Sequence, residues 1–90
     1  MAIATYFHPQ SLTAQQYDEA IRELEAAGAA TPAGRVHHSC FGPDNGLMVY
    51  EVWESPQAFE DYGSVLMPIL QKLGIDPGTP DVMPVHNLAS

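Results

Sequence analysis

At Ser55 the chain changes its period. Upstream, Gly46-Leu47-Met48-Val49-Tyr50-Glu51-Val52-Trp53-Glu54 has the β-branched and aromatic content of a strand. Downstream, Ser55-Pro56-Gln57-Ala58-Phe59 starts a helix. Ser55 stands at the cap and Pro56 at the first helical position, where a missing N–H costs nothing. Glu51 and Trp53, two apart on the strand, share one face. A carboxylate beside an indole on a sheet face is costly to bury unless the face lines a cavity or an interface.

The rest of the chain supplies three more strands and one more helix. Ala2 to His8 reads as a strand ending at Pro9. Thr13 and Gln16 form a capping box, with Leu12 and Tyr17 placed as a hydrophobic staple. Tyr17, Ala20, Ile21, Leu24 and Ala27 then follow at helical spacing, and Gly28 is the stop. After the Thr31-Pro32-Ala33-Gly34 loop, Arg35 to Phe41 reads as a strand. The turn residues Gly42-Pro43-Asp44-Asn45-Gly46 bring Leu47 to Glu54 back antiparallel to it. The second helix carries Phe59, Tyr62, Leu66, Ile69, Leu70 and Leu73 on its apolar stripe, with a kink expected at Pro68 and an end at Gly74. Asp81 to Leu88 is the last strand, and Pro84 within it suits an edge or a bulge.

The order β-α-β-β-α-β predicts an α+β, ferredoxin-like domain over residues 1–90: a four-stranded antiparallel sheet with both helices on one face. That leaves the other sheet face uncovered. A domain of 90 residues is near the lower limit for an independent core, so a homodimer through the open face is expected. The net charge of −8, with only Arg22, Arg35 and Lys72 positive, argues against nucleic acid and anionic membranes as partners. It also leaves few cations to clamp a phosphorylated substrate. Cys40 is the sole cysteine, so no internal disulfide can form. No signal peptide or transmembrane run is recognised, and the expected location is cytoplasmic.

Counting back from a turn at Pro43 to Gly46 places Gly42 opposite Leu47, Cys40 opposite Val49, His38 opposite Glu51 and Val36 opposite Trp53. An imidazole directly across from a carboxylate is a candidate general base with its orienting acid. A register shifted by one residue puts His37 in that place instead. The non-functional alternative is a polar cross-strand pair that merely stabilises the hairpin. His8, His37, His38 and His86 lack the spacing of a metal site, and no metal is expected. His86 could reach a cavity or a dimer contact. Cys40 has no evident activating partner and reads as a structural thiol.

The element order, the Val52-Trp53-Glu54-Ser55 junction and the helix-starting Ala58-Phe59 resemble the dimeric α+β barrel superfamily, and within it the antibiotic-biosynthesis-monooxygenase type. The resemblance implies two sheets facing each other across a dimer, with a ligand cavity between each sheet and its helices. It implies that Trp53 helps line that cavity. Tyr62 stands where many relatives, the haem-degrading ones included, carry a histidine, so the expected axial haem ligand is missing.

The function expected is therefore binding of a small apolar or aromatic molecule, with cofactor-independent monooxygenase or isomerase chemistry on an aromatic or polyketide-like substrate. His38 and Glu51 are the catalytic candidates, with Trp53, Tyr62, His37 and His86 as substrate-binding candidates and no cofactor required. The alternative is a non-catalytic binding or accessory dimer on the same fold.

Overall fold

The computed structural model describes residues 1–89. The elements are β1 (Ile3–Phe7), α1 (Ala14–Ala26), β2 (Arg35–Phe41), β3 (Met48–Trp53), α2 (Pro56–Lys72) and β4 (Asp81–Pro84). The four strands form one antiparallel sheet in the order β2-β3-β1-β4. This is the ferredoxin-like arrangement expected from the element order.

Local chemistry sets the helix ends. Thr13 Oγ1 accepts from the Gln16 amide at 3.1 Å while the Gln16 side chain accepts from the Thr13 amide at 3.0 Å, so the capping box is complete. Ser55 Oγ accepts from the Ala58 amide at 3.2 Å. Both helices close in the same way. The Ala29 amide reaches back to the Leu24 carbonyl and the Ile75 amide to that of Leu70. Gly28 and Gly74 take φ values of 71° and 70° between them, the left-handed conformation that a side chain disfavours. Helix α2 continues through Pro68, which is exposed. The carbonyl left without an amide partner there is one water can solvate.

The helix-facing side of the sheet carries the core. Ile3, Leu24, Trp53 and Tyr62 form one buried cluster, and Leu12, Ala20, Leu47, Leu70 and Ile75 form a second. The opposite face presents Phe41, Tyr50 and Met83, each substantially exposed. Such apolar exposure on a sheet face marks a surface suited to association.

The structure corrects two details of the sequence reading. Strand β4 ends at Pro84 rather than Leu88, although the Val85 amide still bonds to the Ala2 carbonyl at 3.0 Å. Strand β1 itself starts at Ile3, opposite Pro84, so the ladder has no strand partner further on. Since Val85 donates to the β1 side, the Pro84 nitrogen faces the open edge, where its missing N–H costs no ladder bond. In the hairpin, a bulge at Val36 places Arg35, not Val36, opposite Trp53. Two residues then oppose one on the partner strand, and Arg35 is turned to the helix side. Gly34 makes this entry feasible. Its φ is 84°, and a Cβ there would lie 2.6 Å from that of Ala58.

Candidate functional site

Strands β2 and β3 set the site. From Phe41 opposite Met48 to His37 opposite Val52 the pairing runs as read from the turn, with Cys40 opposite Val49 and His38 opposite Glu51. Because side chains alternate, Glu51 and Trp53 both point toward the helices. Trp53 is fully buried and Glu51 only 3 % exposed.

The buried carboxylate is held from three sides. Trp53 Nε1–H donates to Glu51 Oε1 at 3.2 Å. His38 Nδ1 lies 2.6 Å from Glu51 Oε2, and Arg35 Nη1 lies 3.5 Å from the same oxygen. Arg35 is steadied by a 2.9 Å bond from Nη2 to the Ala30 carbonyl and sits 5.7 Å from the centre of the Tyr62 ring. An ionised carboxylate only accepts, so the hydrogen between His38 and Glu51 belongs to Nδ1. A neutral imidazole then has a bare Nε2. Tyr17, from helix α1, places its hydroxyl 2.7 Å from that nitrogen and donates to it.

The result is a linear array, Glu51···His38···Tyr17, running from the core outward. Its inner end is buried and its outer end is Tyr17, whose pKa is pushed up to about 12, first by burial and then by Cys40 nearby. Tyr62 is pushed up as well, first by burial and then by the Glu51 charge. Both hydroxyls therefore stay protonated at neutral pH. Burial, with the Asp18 charge, also raises the Cys40 thiol, which keeps it a poor nucleophile.

A cavity of about 80 Å³ lies between sheet and helices. Tyr17, His38, Glu51 and Tyr62 form its polar wall. The remaining lining is apolar, including Leu12, Ile21, Leu24, Leu66, Leu70 and Ile75, with Pro9 and Pro77 also at its border. Of the six residues singled out in the sequence, His38, Glu51 and Tyr62 meet at this cavity. Trp53, expected on its wall, stands behind it and buttresses Glu51. His37 lies on the opposite sheet face, against Tyr50 and Ser39. His86 is exposed beyond β4. Neither reaches the cavity. Among the described residues no group of three His, Cys, Asp or Glu side chains is placed to hold a metal ion.

Two residues of the site lie outside those six. Tyr17, like Tyr6 and Tyr50, has a hydroxyl to offer a pocket's polar end but also fits the apolar pattern of its element, which conceals its partner. Arg35 became part of the site through the bulge. Its only advance signal was rarity, as one of three cations in the chain.

Comparison with solved structures matches the fold over nearly the whole chain. A candidate antibiotic biosynthesis monooxygenase from Chloroflexus aurantiacus J-10-fl superposes with a TM-score of 0.65, covering 99% of this chain and 98% of that one at 13% identity. The chain has the antibiotic-biosynthesis-monooxygenase-like fold. SnoaB, a cofactor-independent oxygenase from Streptomyces nogalater, superposes in a variant form with a TM-score of 0.62 at 17% identity, over 97% of this chain and 93% of that one. A candidate antibiotic biosynthesis monooxygenase from Deinococcus radiodurans gives 0.63 at 11% identity, over 100% and 97%. No family model matches the sequence, and no curated protein matches it. At these identities the likeness is one of fold, and the chemistry must be argued from the site. No helix is long and apolar enough to cross a membrane.

Proposed function

We propose that this protein is a cofactor-independent oxygenase of a small aromatic substrate, with His38 as general base and Glu51 as its orienting carboxylate. The observation that carries the reading is the Glu51···His38···Tyr17 array, which runs from a buried carboxylate to a half-buried hydroxyl with spacings of 2.6 and 2.7 Å, on the wall of an apolar cavity. A structural ion pair needs no such outlet. This one ends in a basic nitrogen, linked through a hydroxyl to a space where a substrate can lie. SnoaB, similar in fold, is a cofactor-independent oxygenase, which supports the reaction class.

The proton path follows from the hydrogen bonds. As the substrate O–H bond breaks, its proton passes to the Tyr17 oxygen, and the Tyr17 proton passes to His38 Nε2. The imidazolium so formed is stabilised by Glu51 across 2.6 Å. The substrate anion spreads its charge onto the ring carbon para to oxygen. That carbon reduces O₂ and becomes bonded to it as a hydroperoxide. Loss of water, with the ring hydrogen leaving as a proton, gives the para-quinone. One phenol and one O₂ thus become one quinone and one water. The reducing electrons come from the substrate, so the step calls for no bound redox group. A homodimer closed through the open sheet faces, working in the cytoplasm, completes the reading.

The test is O₂ consumption over a panel of small phenols and α-carbonyl compounds, with wild type compared with His38→Ala. Circular dichroism and sedimentation keep folding and assembly in view. Turnover lost in a folded variant is the expected result. Full activity in His38→Ala would sink the assignment. No O₂ uptake or proton exchange with any substrate would favour the non-catalytic binding protein.

A further inference from the structure

We infer that the ligand of this cavity is a neutral, single-ring compound bearing a hydroxyl donor, a simple phenol. This deepens the oxygenase reading and rests on its site. Three independent features point to it.

The first is the polarity of the hydrogen-bond array. Glu51 accepts from His38 Nδ1–H, and His38 Nε2 accepts from the Tyr17 hydroxyl, so each donor in the line is already spent. What Tyr17 still offers is a lone pair on its oxygen. A carbonyl or ether finds only an acceptor at Tyr17, whereas an O–H donates to it and can still accept from the Tyr62 hydroxyl on the same wall. The high pKa of Tyr17 keeps this pattern intact at neutral pH.

The second is charge. None of the three cations of the chain lines the cavity. Arg35 is committed to Glu51 and Ala30, Lys72 to Glu23 on the surface, and Arg22 is exposed. A carboxylate or phosphate in the cavity would face Glu51 with no counter-ion, at a large desolvation cost.

The third is size. The cavity measures about 80 Å³, little more than half of the roughly 150 Å³ apolar cavity that accommodates benzene. A single ring already needs the cavity to widen or to leave part of the ring at the Pro9 and Pro77 border. Fused rings need more of both.

Binding by nitrogen-15 and aromatic carbon-13 NMR tests this without any turnover, using phenol, anisole, benzoate and 1-naphthol. Phenol is expected to shift the Tyr17 and His38 ring signals. Anisole, the same ring without a donor, should bind about 3- to 10-fold more weakly, the value of one hydrogen bond. Benzoate should not bind. 1-Naphthol should bind more weakly than phenol despite its larger apolar area. The inference is overturned if anisole matches phenol in the wild type, if benzoate enters the cavity, if 1-naphthol outcompetes phenol there, or if phenol does not bind. A protein that shows this binding pattern and never consumes O₂ retains the ligand class and loses the oxygenase reading. One that oxidises only fused-ring substrates does the reverse.

Discussion

Glu51→Gln changes one atom and reverses the logic of the array. Three donors converge on the carboxylate: Trp53 Nε1 at 3.2 Å, His38 Nδ1 at 2.6 Å and Arg35 Nη1 at 3.5 Å. A glutamine offers one acceptor oxygen and one NH₂ group. With its oxygen toward Trp53, the NH₂ faces His38 and Arg35. His38 must then accept at Nδ1 and carry its hydrogen on Nε2, so Tyr17 becomes the acceptor and the base is lost. The charge-assisted bond to His38 is worth about 1.5–3 kcal/mol. Arg35, with its side chain 16 % exposed, regains part of its hydration, so its contribution falls below the ~3–5 kcal/mol of a wholly buried broken pair. Glutamine keeps the Trp53 bond and the packing. The net loss is therefore about 2–3 kcal/mol, which in a domain of this size lowers the melting temperature by roughly 10–20 °C. Thermal and urea unfolding at one fixed protein concentration measure it, and nitrogen-15 shifts of the His38 ring report the tautomer. A variant within 2–3 °C (about 0.5 kcal/mol) of wild type, with the hydrogen still on Nδ1, would refute the assigned polarity and energetics of the array.

Three further outcomes are expected. Tyr17 titrates near 10 in the unfolded chain and about 12 in the fold, so the unfolded state loses its proton first and folding stability is full below pH 10 and falls as pH rises through about 12; urea midpoints across that window should drop, and less steeply in Tyr17→Phe. Thr5, opposite Glu51 on β1, has a fully buried hydroxyl with no partner among the described residues; Thr5→Val should raise the urea-derived stability by about 1 kcal/mol, and a loss of that size would mean the hydroxyl is satisfied. Met83 is 63 % exposed on the open sheet face; Met83→Glu should shift the sedimentation equilibrium toward monomer, and an unchanged dimer would place the interface elsewhere.

The His38–Glu51 pairing was legible because a hairpin register can be counted from its turn: Gly42-Pro43-Asp44-Asn45-Gly46 is unmistakable turn chemistry, and antiparallel pairing leaves no freedom once the turn is placed. The count failed at the entry to β2, where the bulge at Val36 admits an extra residue. Bulges depend on what packs around a strand, here Gly34 against Ala58, and neighbours in sequence do not specify that. The family resemblance puts Trp53 on the cavity wall, and the strand period gives it a face but not a depth; behind Glu51 it serves as a hydrogen-bond donor and packing support. His37 and His38 were separable only once the register was known, since a strand sends adjacent residues to opposite faces.

By itself, then, the sequence determined the element order, the helix ends, the antiparallel hairpin and the face shared by Glu51 and Trp53. All of these depend on interactions between residues near one another in the chain. Tertiary structure decided that Tyr17, on a helix 21 residues before His38, would meet its Nε2. It likewise decided that Arg35 would share the Glu51 carboxylate, and that the cavity would be narrow. Those facts depend on how α1 and α2 pack across the sheet, through contacts between distant segments that no local pattern encodes.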